Sequence, residues 1–66
     1  MILAIDIGNT NITLGGYTHN KIQFISRMST DSRRTADQYA VEIYDLVRLA
    51  GFSATDTEGC VIASVV

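Results

Sequence analysis

The feature that most constrains this chain is an abrupt change of pattern at Asp6. Met1 to Ile5 is continuously apolar, a carboxylate then interrupts the run, and Gly8-Asn9-Thr10-Asn11 follows almost at once. A short, unalternating, isoleucine-rich run predicts a strand covered on both faces. Gly, Asn and Thr in succession predict a turn. Beyond it Ile12 and Leu14 alternate with Thr13 and Gly15, the period of a half-buried strand. So brief a connection between two strand patterns predicts an antiparallel hairpin.

The same reading carries through the rest of the chain. Thr18-His19-Asn20 is a second turn. Residues 21–29 then read as a third strand, with Ile22, Phe24 and Met28 on one face. Strands at about 1–7, 11–17 and 21–29 make a meander. After a polar loop, Thr35-Ala36-Asp37-Gln38 fits a capping box, and Asp37 suits the positive end of a helix. Tyr39, Ala40, Ile43, Leu46, Val47 and Ala50 recur on one helical face, and Gly51 is a natural residue to follow the end. The helix is expected at 36–50, a loop at 52–58 and a buried strand at 59–66. After a helix, such a strand most often pairs in parallel with an earlier one. The expected order is β-β-β-α-β, an α/β unit with a mixed sheet.

Size and composition exclude several function classes. The chain has 66 residues and a net charge of −2, without charge clusters, so neither nucleic acid nor an anionic membrane is an expected partner. Its apolar runs are too short to span a bilayer. No basic segment precedes the run at Met1, which predicts no signal peptide and a cytoplasmic location. One cysteine, Cys60, forbids an intrachain disulfide, and one histidine, His19, cannot complete a zinc site with it. The run Cys60 to Val66 reads as a core strand that stops without a turn. The expectation is therefore a truncated domain or a segment of a longer protein.

The chemistry lies in the first turn. A carboxylate in a buried strand is costly unless donors or a cation accompany it. Gly8 allows a close approach, and Asn9, Thr10, Asn11 and Thr13 supply donors beside the turn amides. Successive amides of this kind form a concave anion site, and a neighbouring carboxylate can hold hydrated magnesium. The pattern is neither a Walker loop, which needs Gly-Lys-Ser/Thr before a helix, nor a dinucleotide fingerprint, which needs a helix where this chain has a strand. Against this reading stand plainer ones. Asp6 could cap a turn, and Asn9 and Asn11 could be turn formers. Arg33 and Arg34 are either solvated, or paired with Asp31 and Asp37, or set near a ligand cleft. Tyr39 is expected to face the core with its hydroxyl at the edge, His19 to be exposed, and Cys60 to be a small core residue. Ser64 has no partners that would make it a nucleophile.

An Asp-x-Gly-x-Thr/Asn turn between the first two strands resembles the first phosphate motif of the actin, hexokinase and heat-shock ATPase superfamily, whose fold is ribonuclease H-like. Within it, Asp6-Ile7-Gly8-Asn9-Thr10-Asn11 is most similar to the type III pantothenate kinases. Two further stretches agree: Ser29-Thr30-Asp31-Ser32-Arg33-Arg34-Thr35-Ala36-Asp37-Gln38-Tyr39 and Val61-Ile62-Ala63-Ser64-Val65-Val66. Ser32 departs from the family, which often has proline there. The chain is also far shorter than a family member.

The resemblance implies an enzyme that transfers the γ-phosphate of ATP to pantothenate, giving 4′-phosphopantothenate in the first step of coenzyme A synthesis. It implies magnesium, a monovalent cation (potassium or ammonium) and a homodimer. Asp6, Ile7, Gly8, Asn9, Thr10, Asn11, Ile12 and Thr13 would surround the ATP phosphates, with Asp6 also reaching the magnesium through water. The family's catalytic base lies in a later Gly-x-Asp segment that this chain lacks, so the 66 residues alone are expected to be inactive. Two alternatives share this end of the sequence: another kinase of the actin-like superfamily, and a non-catalytic accessory transcription factor of the same family.

Overall fold

The computed structural model describes residues 1–64. It contains four strands, β1 (Ile2–Ile7), β2 (Asn11–Thr18), β3 (Lys21–Ser29) and β4 (Gly59–Ser64), and one helix, α1 (Ala36–Leu49), between β3 and β4. A single turn of 3-10 helix at Ala54–Asp56 interrupts the loop expected at 52–58. Of the strand expected at 59–66, the last two residues lie outside the described residues. The sheet order is β3-β2-β1-β4. β1 pairs antiparallel with β2, β2 antiparallel with β3, and β1 parallel with β4. This is the α/β, mixed-sheet β-β-β-α-β unit with which actin-like ATPase domains open. No helix among the described residues is long and apolar enough to cross a membrane.

The core forms where α1 lies on one face of the sheet. Leu3 and Ile5 of β1, Ile12 and Leu14 of β2, Met28 of β3 and Val47 of α1 are buried together, and Leu14 is fully enclosed. Enclosing one leucine stabilises by about 1.5–3 kcal/mol, so this cluster carries much of the fold. Helix α1 begins as its sequence dictates. The Gln38 amide donates to Thr35 Oγ1 at 3.2 Å, and the Thr35 amide donates to Gln38 Oε1 at 2.7 Å, a complete capping box. It ends before Gly51, whose φ of +94° only glycine adopts freely. Opposite the core, Ala4, Asp6, Thr13, Gly15 and Tyr17 share the helix-free face with Ile25.

Three expectations about packing are corrected. β1 is not covered on both faces: its residues alternate between buried and accessible, with Ile2 40% exposed, because α1 screens only one side of the sheet. β4 is not buried: Val61 and Ile62 are 62% and 63% exposed, and Cys60 is exposed rather than a core residue. It pairs with β1 at the sheet edge, where Val61 points to the helix-free face and Ile62, on the side of α1, is left largely uncovered. Ile22 does not join Phe24 and Met28 in the core but is 57% exposed. The cause is a β-bulge: Gly16 faces Phe24 while Tyr17 faces Ile22, leaving Gln23 without a counterpart. Phe24 stays inward, stacked on Phe52 at 5.7 Å, over Gly16. A Cβ at Gly16 would lie 2.3 Å from the Phe24 ring, so only glycine fits beneath it.

Candidate functional site

The predicted turn joins β1 to β2 with Asn9 and Thr10 at its tip. The Gly8 amide donates to the Asn11 carbonyl at 2.9 Å, closing the base of the turn. Gly8 owes its identity to space rather than to an unusual φ: a Cβ there would sit 3.0 Å from the Asn11 oxygen. Among the described residues the Asn9 and Thr10 amides donate to no backbone carbonyl, and the Asn11 amide does not return to Gly8. At the tip, Asn11 Nδ2 donates to Thr10 Oγ1 at 3.3 Å. The turn thus presents donors that its own backbone leaves unused, the requirement for an anion site.

Two carbonyls of the turn are satisfied from elsewhere. Thr30, the first residue after β3, extends the β2–β3 ladder by one bond, its amide donating to the Thr10 oxygen at 3.0 Å. The Thr30 hydroxyl donates to the Gly8 oxygen at 2.9 Å. Thr30 was not legible as a site residue. It lies in a polar loop, and its partners are backbone atoms that only the sheet brings near.

The eight predicted residues divide by environment. Asp6 is exposed on the helix-free face, between Thr13 of β2 and Ala63 of β4. Thr13, its cross-strand partner, shares that face and is half-buried. A shallow depression of about 370 Å³ lies there, lined by Asp6, Thr13, Gly15 and Tyr17. Asn9, Thr10 and Asn11 are exposed and Gly8 is half-buried. Ile12 is buried in the core, and Ile7 packs against it. Only the backbone of these two residues can reach a ligand at the turn.

A metal reading can be tested against the donors present. Among the described residues no group of three or more His, Cys, Asp or Glu side chains could hold an ion. One accessible carboxylate beside a cluster of amides does fit magnesium, which keeps several waters and is held by one or two carboxylates together with substrate phosphates.

The loop entering α1 holds the arginines. Arg33 pairs with Asp31 through Nε at 3.1 Å and Nη2 at 3.1 Å, and its amide also donates to Asp31 Oδ1 at 3.0 Å. The guanidinium, then the amide, hold the Asp31 carboxyl below its usual range. Arg34 does not pair with Asp37. It makes an ion pair with Glu42, donates to the Gln38 carbonyl at 3.2 Å, and lies 4.7 Å over the Tyr39 ring. Glu42 lies on α1 two turns beyond Arg34, within reach of a guanidinium folded back along the helix. Both arginines are thus engaged in local structure. The Tyr39 hydroxyl stands at the edge of the core, as expected. It accepts from the Asp31 amide at 2.7 Å and donates to the Asp31 carbonyl at 2.6 Å. His19 is exposed in the β2–β3 turn.

A family model described as type III pantothenate kinase matches residues 2–66. The type III pantothenate kinase of Geotalea uraniireducens (strain Rf4) is 44% identical over 66 residues, covering 100% of this chain and 26% of the relative. The chain therefore spans about a quarter of the length of the curated relative it matches. The opening turn, the helix entry and the parallel fourth strand all fall within the matched region. With the match running over essentially its whole length, the chain belongs to the type III pantothenate kinase family.

Proposed function

We propose that this chain supplies the phosphate-holding half of the ATP site in a kinase that phosphorylates pantothenate to 4′-phosphopantothenate, at the entry to coenzyme A synthesis. One observation carries the reading: at the end of β1 an open turn keeps the Asn9 and Thr10 amides unspent, close in sequence to an accessible carboxylate. On this reading residues 1–66 are the opening part of the first actin-like ATPase domain. The remainder of that domain and a second domain belong to the intact protein.

The division of labour follows from the residue types. Amides fixed in a turn meet phosphate oxygens without reorganising, so they stabilise the charge that builds up during transfer. Asp6 would hold magnesium through water, and the hydroxyl of Thr13 stands beside it on the same face. Bound there, magnesium would supply the positive charge that neutralises the polyphosphate during in-line transfer. Of the carboxylates at the turn and in the loop entering α1, Asp6 is assigned to the metal and Asp31 is engaged by Arg33. The base, the pantothenate pocket and a monovalent-cation site are therefore assigned to the rest of a cytoplasmic, homodimeric enzyme.

The test is pantothenate-dependent ADP release by the intact protein, with magnesium and potassium or ammonium supplied. Release that requires pantothenate and is lost in Asp6→Asn supports the reading. A protein that binds MgADP but turns over another acceptor points to a different kinase of the superfamily. One that binds MgADP and transfers to nothing points to a non-catalytic relative.

A further inference from the structure

We propose that Thr30 is a positioning residue for the phosphate turn: its hydroxyl and its amide hold the Gly8 and Thr10 carbonyls so that the Asn9 and Asn11 amides face the polyphosphate. The inference rests on the function proposed above and deepens it. In a trans peptide the carbonyl and the following amide lie in one plane and point in opposite directions. The described residues contain no cis peptide. Fixing the Gly8 oxygen therefore fixes the direction of the Asn9 N–H, and fixing the Thr10 oxygen fixes that of Asn11. Thr30 fixes both, at 2.9 and 3.0 Å, from one side of the turn. The amides are thereby turned toward the opposite side. The carbonyl dipoles, which would repel a phosphate, are directed away from it.

The anchor is itself anchored. Asp31, the next residue, exchanges two hydrogen bonds between its backbone and the Tyr39 hydroxyl, and Tyr39 packs against the core from α1. A continuous line thus runs from the helix through Tyr39 and Asp31 to Thr30 and the turn. The turn cannot hold this geometry alone, because the bond that would close it, from the Asn11 amide to the Gly8 carbonyl, is not made. Without Thr30 the Gly8–Asn9 peptide is free to rotate until Asn11 satisfies that carbonyl. The turn would then be closed, with an amide spent.

The experiment uses the intact protein and three variants. Thr30→Val removes the hydroxyl at nearly constant shape, Thr30→Ser retains it, and Thr30→Ala repeats the loss at smaller volume should the valine variant fail to fold. Titration with MgADP gives affinity. Steady-state kinetics give KM for MgATP, KM for pantothenate and kcat. Amide hydrogen exchange at Asn11 reports whether the turn has closed, without nucleotide. Loss of one aimed hydrogen bond predicts MgADP binding and KM for MgATP weaker by about tenfold in Thr30→Val. Thr30→Ser should return to within about threefold of wild type, with the pantothenate KM unchanged and Asn11 exchange slower only where the hydroxyl is missing. MgADP affinity in Thr30→Val equal to wild type overturns the inference and leaves the proposed function standing. Equal impairment of the serine and valine variants also overturns it, since the methyl rather than the hydroxyl would then matter. A wild-type protein that binds no MgADP overturns the proposed function, and the phosphate role of Thr30 with it.

Discussion

The two hairpin turns of this molecule solve the same connection in opposite ways. The β2–β3 turn is two residues, His19 and Asn20, with φ of +53° and +62°. Two successive positive φ values are the mark of the type I′ turn, whose twist matches that of the strands it joins. It needs no support from elsewhere, and both residues are exposed. The β1–β2 turn has no positive φ, makes one bond across its base, and borrows two more from Thr30. One turn is complete in itself and only connects strands. The other is incomplete, and leaves amides unspent close in sequence to Asp6, the feature on which the proposed role rests. Local self-sufficiency and the proposed role are exclusive here because the same N–H groups would have to serve both.

The largest expected effect tests the proposed role of the β1–β2 turn directly. Asp6→Asn in the intact protein should lower kcat/KM for phosphoryl transfer by about a hundredfold or more, as loss of a preorganised charge partner does. Unchanged turnover at saturating magnesium would remove Asp6 from the site. Next, Gly8→Ala brings a Cβ to 3.0 Å from the Asn11 oxygen and should open the base of the turn. KM for MgATP is expected to rise by about tenfold, the equivalent of one displaced hydrogen bond. A kinetically silent alanine would mean the turn tolerates the shift.

Changes at the other turn should separate stability from activity. Asn20→Val places a β-branched residue in the left-handed region and should cost about 1–2 kcal/mol in denaturant unfolding. KM for MgATP should not move, and a rise would mean that the two turns are coupled through β2. Tyr39→Phe deletes the hydroxyl that holds Asp31 and should cost about 1 kcal/mol. Its effect on KM for MgATP should be smaller than that of Thr30→Val, because it acts one residue further from the turn.

The smallest effect is electrostatic. Hydrogen bonds from Arg33 hold the Asp31 carboxyl below its usual range. A depressed folded-state pKa contributes stability above the unfolded value, and that contribution is lost as pH falls through the folded value. The melting temperatures of wild type and Arg33→Ala should therefore differ slightly at neutral pH and converge on acidification below the ordinary aspartate range. The pair is exposed and screened by water, so the difference should also shrink with salt. A gap that persists in acid would assign Arg33 a role beyond Asp31.

How much was legible in the sequence follows from the range of each interaction. The helix start at Thr35 and its end before Gly51 were readable because caps act within four residues. The strands of the meander and the turn between the first two were readable from alternation and turn residues. Ile22 was misread because a bulge is set by pairing with β2, which no local pattern encodes. Cys60, Val61 and Ile62 were misread because an apolar strand records the burial it is suited to, whereas its exposure depends on what lies above it. The alternatives left open for Arg34 did not include Glu42, because that partner lies two turns along a helix the side chain folds back upon.

The first turn divides along the same line. The sequence alone determined that residues 6–13 would bend between two strands and carry a carboxylate, a glycine and a set of donors, because those are properties of residue types and short spacings. The tertiary structure alone decided which way the amides face. That direction depends on where the Gly8 and Thr10 carbonyls find donors. The donor, Thr30, lies some twenty residues further along the chain and comes within reach only once β3 has paired with β2.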